Sequence, residues 1–257
     1  MCLRAENISL HLSGFDLLRD VTVQVDAGQV TAIVGPNGAG KSSLLRVLTG
    51  ELAPTKGSVS FNQRDLNDWP VQQRAQMLAV LPQHSLLNFP FTANEVVALG
   101  RIPHQTGTLK DADIIRQALK LVDAEYLQKR FYTQMSGGEK QRVQLARVLA
   151  QVWLPCEAGE QILVLDEPTA AFDLAHQQLT LEIVRQLAAK GVGVVMVLHD
   201  LNLAARCADK LVVFDGGIVA AQGTPEEVLT EHLIDQVFGV KAMISRHPVT
   251  NKPLVIT

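Results

Sequence analysis

The segment best suited to chemistry is a glycine-rich run that ends in a lysine and two serines, Gly35-Pro36-Asn37-Gly38-Ala39-Gly40-Lys41-Ser42-Ser43. It follows an apolar stretch at residues 30–34 and opens a helix-like one. Glycines let the backbone wrap around phosphate, so that successive N–H groups and the helix N-terminus point at the anion. Lys41 supplies positive charge for the β- and γ-phosphates, Ser42 suits Mg²⁺, and Ser43 can hydrogen-bond an α-phosphate oxygen. The run predicts a site for a nucleoside triphosphate with Mg²⁺.

Two adjacent acids, Asp166 and Glu167, follow the aliphatic stretch at residues 162–165. A parallel sheet presents the carboxyl ends of its strands to a ligand. Because adjacent side chains point in different directions there, Asp166 can hold Mg²⁺, and Glu167 can orient and deprotonate an attacking water near the γ-phosphate. The competing interpretation is an ordinary solvated pair of acids at a strand end. Together with the phosphate loop, the pair predicts hydrolysis of the bound triphosphate.

Composition narrows the classes of protein that fit. The 257 residues are 47% hydrophobic, enough for a globular core, and their net charge of −3 without a basic block argues against a nucleic-acid-binding protein. The three cysteines lack the spacing of zinc sites or disulfides, which fits a reduced cytosolic setting. No apolar run approaches the roughly 20 residues that cross a bilayer, and residues 1–6 do not resemble a secretory signal. We therefore expect a partner to provide any contact with a membrane.

The elements that must position these residues are predicted from hydrophobic periodicity. Short runs at residues 3–10 and 21–25 predict antiparallel strands beside the phosphate loop. Aliphatic runs after residue 160 alternate with helices, which predicts a parallel sheet buried on both faces. The predicted strands are residues 162–165, 192–198 and 211–214, and the predicted helices are 174–190 and 201–207.

The chain is predicted to form one α/β domain over residues 1–257. Its core and β subdomain span about residues 1–83 and 153–239, and a mostly helical insertion spans about residues 84–152, where residues 111–122 show an amphipathic helical pattern. Thr224 as N-cap and Pro225 predict a further short helix. No element is predicted in the C-terminal tail, residues 240–257.

A second glycine-bearing motif, Ser136-Gly137-Gly138-Glu139-Lys140-Gln141, stands at the start of a helix predicted over residues 138–152. Read alone, it fits a capped helix start. One phosphate chain, however, cannot easily be cradled by two loops of the same subunit. With the phosphate loop before it and Leu165-Asp166-Glu167-Pro168 after it, the motif makes the chain resemble the ATP-binding subunits of ABC transporters, from about residue 3 to residue 238.

The resemblance implies a P-loop NTPase fold with a RecA-like parallel-sheet core, an N-terminal antiparallel β subdomain and a helical subdomain insertion. It implies ATP and Mg²⁺ as cofactors and a homodimer whose copies pair head to tail. In such a dimer the loop of Ser136, Gly137, Gly138 and Glu139 in one copy covers the γ-phosphate that the Gly35 loop of the other copy holds.

Three further positions take their roles from the resemblance. Gln83 matches the glutamine that contacts Mg²⁺ and the attacking water and links to the membrane subunit. His199 matches the switch histidine that contacts the γ-phosphate and steadies Glu167. Asp173 matches the aspartate that communicates across the dimer, with Phe172 where the family more often has leucine. The expected catalytic residues are Glu167, His199 and Gln83, and the expected Mg²⁺ residues are Ser42, Gln83 and Asp166.

Recognition of the adenine base departs from the family pattern. The family stacks an aromatic residue, commonly tyrosine, on adenine shortly before the second strand, and this chain has tyrosine only at positions 126 and 132. Phe15 is the nearest aromatic candidate, while His11 or Leu12 can stand closer to the matching position. Selectivity for ATP over GTP is therefore expected to be loose.

The stretch at residues 88–104 resembles the ATPases of bacterial importers for siderophores, vitamin B12 and haem, most closely the haem importer's subunit, and residues 152–161 suit that branch. The resemblance implies two permease subunits, a periplasmic substrate-binding protein acting indirectly, and a peripheral location on the cytoplasmic face of the inner membrane. Nucleic acid is not expected to bind because the net charge is acidic and there is no basic block, and haem is not expected to bind directly because His84, His104 and His199 show no cofactor-ligand pattern. The alternatives are a siderophore or vitamin B12 importer, an exporter, or a soluble ABC-type ATPase acting on nucleic acid or in iron–sulfur assembly.

Overall fold

The larger of two main sheets carries the phosphate loop at one of its strand ends. The structure, a computed structural model, describes residues 2–83 and 87–257. The strands of this sheet are β3 (Val30–Val34), β6 (Leu78–Leu81), β7 (Ile162–Asp166), β8 (Gly193–Val197), β9 (Lys210–Asp215) and β10 (Ile218–Gly223). Their order is β10-β9-β3-β8-β7-β6, and all neighbours are parallel except β9 and β10. The predicted parallel sheet is confirmed.

The second sheet is antiparallel and formed mainly by the N-terminal part of the chain. Its strands are β1 (Leu3–Leu12), β2 (Phe15–Val25), β4 (Lys56–Phe61) and β5 (Arg64–Asp65), in the order β2-β1-β4-β5. Alternate residues of β1 and β2 are buried, as a sheet with one covered face requires. The predicted antiparallel strands are confirmed and are longer than their apolar runs.

Helices cover the larger sheet and form the middle of the chain. They are α1 (Lys41–Leu48), α2 (Val71–Met77), α3 (Ala93–Ala98), α4 (Thr108–Leu121), α5 (Gly137–Gln151), α6 (Leu174–Ala189), α7 (Leu201–Cys207), α8 (Pro225–Val228) and α9 (Glu231–Phe238). α8 begins after Thr224, whose side chain accepts a hydrogen bond from the backbone N–H of Glu227, as the N-cap prediction requires.

The two faces of the larger sheet belong to different cores. Leu163 and Leu165 of β7 pack with the helices of the middle region, whereas Ile162 and Val164 pack with the antiparallel sheet. This alternation follows from the two-residue period of a strand, and it explains why the parallel strands are apolar throughout.

Polar side chains of α5 bind the middle helices to the edge strand of the larger sheet. Arg147 donates to the Val80 carbonyl at 3.1 Å, and Gln151 donates to the Leu78 carbonyl at 3.2 Å. The division of the chain into a core and a helical subdomain remains a proposal. Its predicted boundary at residue 84, like His84 itself, lies outside the described residues.

The C-terminal tail forms a hairpin of β11 (Met243–Arg246) and β12 (Pro253–Ile256). Asn202 of α7 donates to the Val255 carbonyl at 3.0 Å and accepts from its N–H at 2.7 Å, which attaches the hairpin to the helix. Among the described residues no helix combines the length and the apolar character needed to span a bilayer.

Candidate nucleotide-binding site

The phosphate loop joins β3 to α1 and approaches neighbouring backbone closely. At Gly35, where φ is +150°, a Cβ would lie 2.2 Å from the Phe214 carbonyl oxygen. At Gly40, where φ is +100°, it would lie 2.7 Å from the Leu17 carbonyl oxygen. Both positions require glycine for space as well as backbone conformation. The two glycines therefore fix the path of the loop around the space where phosphate is expected.

Lys41 begins α1, and its side chain folds back across the loop. Its Nζ donates to the carbonyl oxygens of Gly35 and Pro36, each at 2.8 Å. The residue is 6% exposed, and burial lowers the pKa of its ammonium, although Glu167 and Asp166 oppose that shift. The ammonium stands over the loop, where it can turn from the carbonyl oxygens to an incoming phosphate.

Asp166 ends β7 and contacts α1 through Ser42. It is 9% exposed; burial raises the pKa of its carboxyl, and a hydrogen bond with the Ser42 hydroxyl opposes the rise. Its Oδ1 atom is buried and has no hydrogen-bond partner among the described residues. An orphaned carboxylate oxygen beside a serine hydroxyl is the hard oxygen donor set that Mg²⁺ prefers. These residues therefore fit Mg²⁺.

Glu167 follows Asp166 in a left-handed backbone conformation, with φ at +50°. Such a conformation is costly for a residue other than glycine and is concentrated at functional sites. The Oε1 atom lies 2.5 Å from Nε2 of His199, and Oε2 accepts from Nε2 of Gln83 at 2.9 Å. Gln83, Glu167 and His199 follow the three neighbouring strands β6, β7 and β8. The sheet thus brings together all three predicted catalytic residues.

A cavity of about 360 Å³ lies between the phosphate loop and this trio. Leu17 of β2 lines it, whereas none of the three adenine candidates is on its wall, and Phe15, the aromatic one of the three, is 70% exposed. The stacking role of Phe15, His11 or Leu12 remains a prediction. The wall of the cavity consists of Leu17, Asn37, Gly38, Ala39, Gly40, Lys41, Ser42, Ser43, Gln83, Glu167 and His199.

A larger cavity of about 710 Å³ lies elsewhere, near Trp153 and the C-terminal end of α6. It contains none of the predicted site residues. The smaller cavity, with its loop, lysine and carboxylate, is the one that can do chemistry on a phosphate.

The Ser136 motif is not on the wall of the smaller cavity in a single copy. The Ser136 hydroxyl accepts from the backbone N–H of Glu139 at 3.3 Å, and the Glu139 carboxylate accepts from the Ser136 N–H at 2.7 Å. This is a capping box, and the Ser136 N–H lowers the pKa of the Glu139 carboxyl. Gly137 borders open space, since a Cβ there would meet nothing within 4 Å. Contact with nucleotide on a second copy remains a prediction.

Asp173 is also outside the cavity and caps α6, accepting from the backbone N–H of His176 at 2.9 Å. Its role between copies remains a prediction as well.

Comparison with known proteins adds to this geometry. A family model described as "ABC transporter" matches residues 18–170. The chain belongs to the ABC transporter family. Its fold and its ATPase activity coupled to transport follow from this membership.

Individual members of the family are similar over nearly the full chain. A hemin import ATP-binding protein, HmuV, of Pseudomonas entomophila (strain L48) is 49% identical over 255 residues, which cover 99% of each protein. A metal-chelate type ABC transporter in an inward-facing conformation shares 25% identity at a TM-score of 0.80, covering 99% of this chain and 96% of that one. A dimeric bacterial ABC transporter cassette shares 25% identity at a TM-score of 0.76, covering 86% of this chain and 98% of that one.

Proposed function

We propose that this chain is the ATP-hydrolysing subunit of a bacterial ABC importer whose cargo is haem. The cargo assignment is supported by the relative named as a hemin import ATP-binding protein, which matches this chain along almost its whole length. The observation that carries the catalytic part is the convergence of Gln83 and His199 on the Glu167 carboxylate, in the wall of the cavity that the phosphate loop also lines.

Binding begins at the phosphate loop. The backbone N–H groups of the loop and the N-terminus of α1 receive the phosphates of ATP, and Lys41 turns toward the β- and γ-phosphates. Ser42 and Asp166, with Gln83 nearby, would hold Mg²⁺, which supplies charge neutralisation on the transferred phosphate. The buried Oδ1 of Asp166, which has no hydrogen-bond partner among the described residues, supports this assignment.

Hydrolysis relies on Glu167 as the general base. Its carboxylate orients a water molecule toward the γ-phosphate and accepts a proton from it. His199 and Gln83 occupy both carboxylate oxygens, which fixes the direction of the group before the reaction. Preorganised polar groups of this kind lower the barrier because they need not reorient when charge develops.

Two copies of the chain are proposed to close around two ATP molecules. The Ser136 loop of one copy then covers the γ-phosphate held by the other, with Gly137, Gly138, Glu139 and Asp173 at the same interface. Because only the closed dimer offers ATP both sets of contacts, ATP shifts the equilibrium toward closure, and loss of the γ-phosphate reopens it. The dimeric assembly of a similar cassette supports this arrangement.

The membrane partners are proposed to be two permease subunits, with a periplasmic binding protein that acts through them. The chain would lie peripherally on the cytoplasmic face of the inner membrane. Motion would pass to the permease through the loop that contains Gln83 and the helical region, with Arg101 near that route. Arg101 is 4% exposed and donates to the Ala150 carbonyl of α5, so it supports this region from within.

The cargo is tested by measuring ATP hydrolysis in vesicles that contain the assembled importer and its binding protein. Haem is expected to stimulate hydrolysis, whereas a ferric siderophore and cobalamin are not. Stimulation by cobalamin or the siderophore alone would contradict the haem assignment and leave the ATPase assignment intact. Activity that needs no membrane partner, and no co-purification with one from detergent-solubilised membranes, would favour a soluble ATPase.

A further inference from the structure

His176 lies in the first turn of α6, between two aspartates from different parts of the chain. Asp173 precedes α6 and is proposed to act across the dimer. Asp123 follows α4 in the helical region. The mechanism above gives His176 no role, although its side chain is only 25% exposed and reaches both acids.

One ring nitrogen of His176 holds Asp173. Nδ1 lies 2.8 Å from Asp173 Oδ1, and the backbone N–H of His176 donates to the same oxygen at 2.9 Å. The backbone hydrogen bond and the ring both lower the pKa of the Asp173 carboxyl. The ring of Phe172 lies 6.1 Å from that of His176, at an interplanar angle of 47°. The segment proposed to reach the second copy is thus fixed to this one imidazole.

The other ring nitrogen faces the helical region. Nε2 lies 3.6 Å from Asp123 Oδ2, within the range of an ion pair and beyond that of a hydrogen bond. Asp123 is itself held in place, with a left-handed φ of +53°. The buried guanidinium of Arg142 donates to its carbonyl oxygen and lies 3.4 Å from its carboxylate. Arg142 belongs to α5, the helix that Ser136 caps.

We propose that His176 is a positioning residue that couples the Ser136 helix to Asp173. The imidazole is a rigid ring, so a displacement of Asp123 with α5 is passed to Asp173 through its two nitrogens. Closure of the Ser136 loop on one nucleotide then sets the position of Asp173 at the dimer interface. This inference rests on the proposed function, because it requires two copies that hydrolyse ATP together.

Two substitutions at position 176 separate the contacts. An asparagine amide can replace Nδ1, so His176→Asn retains a donor to Asp173 and loses the reach to Asp123. A glutamine amide can replace Nε2, so His176→Gln retains the reach and loses the contact with Asp173. If His176 only supported Asp173 locally, His176→Asn would be silent. If it couples the two regions, both substitutions have the same effect.

The test is the dependence of ATP hydrolysis by the full chain on ATP concentration. The wild type is expected to be cooperative, and His176→Asn, His176→Gln and Asp123→Asn are each expected to lower the Hill coefficient toward the value for independent sites. The affinity of a single copy for ATP, measured at dilute protein, should stay within about twofold of the wild type, since none of these residues lines the cavity. The Hill coefficient of His176→Asn combined with Asp123→Asn should be no lower than that of either single variant, because both substitutions remove the same contact between positions 176 and 123.

The matched control is Asp113→Asn on the exposed side of α4, where the Asp113 carboxylate accepts hydrogen bonds from Arg116 and Gln117 of the same helix. It should leave cooperativity unchanged. Wild-type cooperativity in His176→Asn and Asp123→Asn, or additive losses in the double variant, would overturn the coupling role. A wild type with neither cooperativity nor an ATP-dependent dimer would overturn the coupling role together with the proposed function, a pattern distinct from failure of His176 alone.

Discussion

His199 Nε2 lies 2.5 Å from Glu167 Oε1, and this contact joins the ends of two adjacent parallel strands, β8 and β7. Gln83, at the end of β6, takes the other carboxylate oxygen at 2.9 Å. The three side chains line the same cavity as the phosphate loop. Their arrangement follows from the sheet, because parallel neighbours end on the same edge.

Glu167→Gln is expected to slow hydrolysis by about 100-fold or more while ATP still binds, because the amide keeps the shape of the carboxylate and cannot accept the proton. His199→Ala should slow it less, and the two changes should not add, because His199 acts through the Glu167 carboxylate that it contacts. Steady-state hydrolysis and equilibrium ATP binding measure these effects. Glu160→Gln, beside the larger remote cavity, is the control and should be silent. Rapid turnover in Glu167→Gln would remove Glu167 from its role.

Lys41→Ala is expected to reduce hydrolysis by about 100-fold or more, because the ammonium stabilises charge on the transferred phosphate. The fold should persist, since both hydrogen bonds from Lys41 go to carbonyl oxygens of the phosphate loop. Lys210→Ala is the matched control. Lys210 also has an ammonium pKa lowered by burial, but it donates to the Gln24 carbonyl in another part of the chain. Equal losses in the two variants, measured as hydrolysis rates, would contradict a specific role for Lys41.

Asp166→Asn is expected to stabilise the nucleotide-free chain at neutral pH and to abolish Mg²⁺-dependent ATP binding. Burial raises the pKa of the Asp166 carboxyl, so the folded chain holds that proton more tightly than the unfolded chain does. The stability from this proton is present at acid pH and is lost as pH rises through the raised pKa. The amide of the variant does not titrate, so the variant does not lose this stability as the pH rises. Its Tm at neutral pH should exceed that of the wild type by about 2–4 °C for each kcal/mol of unfolding free energy gained.

The measurement that checks the prediction for Asp166 is thermal unfolding between about pH 5 and pH 8. The difference in Tm between variant and wild type should shrink as the pH falls. A variant that is less stable than the wild type at neutral pH would contradict the prediction, because it would show that other groups stabilise the buried, ionised carboxylate in the folded chain. Magnesium titration of the wild type gives a second check. Proton and cation compete for the same oxygens, so Mg²⁺-dependent ATP binding should weaken as pH falls.

Ser136→Ala is expected to affect stability and hydrolysis by separate mechanisms. Loss of the N-cap of α5 should cost about 1 kcal/mol of unfolding free energy. Hydrolysis should fall by at least about tenfold if the hydroxyl also contacts the γ-phosphate on a second copy. Thr224→Ala is the control, since Thr224 caps α8 and forms the same kind of capping box with Glu227. If both variants lost stability and kept activity, Ser136 would be only a cap.

Sequence reasoning identified the parts of the fold that follow from local pattern. The aliphatic runs that became β7, β8 and β9 are apolar on both faces, and such runs are found in buried parallel strands. β6 and β10 were not predicted. β6 has four residues, too few for a pattern, and β10 is an edge strand in which exposed and half-buried residues alternate. The tail hairpin was missed because Asn202 of α7, remote in sequence, attaches it to the fold.

The chemical groups of the site were easier to predict than its apolar wall. Glycines, a lysine and paired acids at strand ends have few roles besides phosphate chemistry, whereas Leu17 is an ordinary aliphatic residue whose role depends on how β2 lies over the loop. Phe15 and Leu17 lie two residues apart on β2, so the two-residue period of the strand does not distinguish them; the fold leaves Phe15 exposed and Leu17 half-buried. The Ser136 loop could not be placed at all from one copy.

The most direct test of the shared pocket is a cross-link between two different chains. One chain carries Asn37→Cys in the exposed part of the phosphate loop, and the other carries Ser136→Cys. Both also carry Glu167→Gln to retain ATP and Cys156→Ser to remove the half-buried native thiol. After mixing with ATP and Mg²⁺ and mild oxidation, we expect a covalent dimer of unlike chains that does not form without nucleotide. ATP binding without any such dimer, or a cross-link within one chain that carries both cysteines, would contradict a site completed by the second copy.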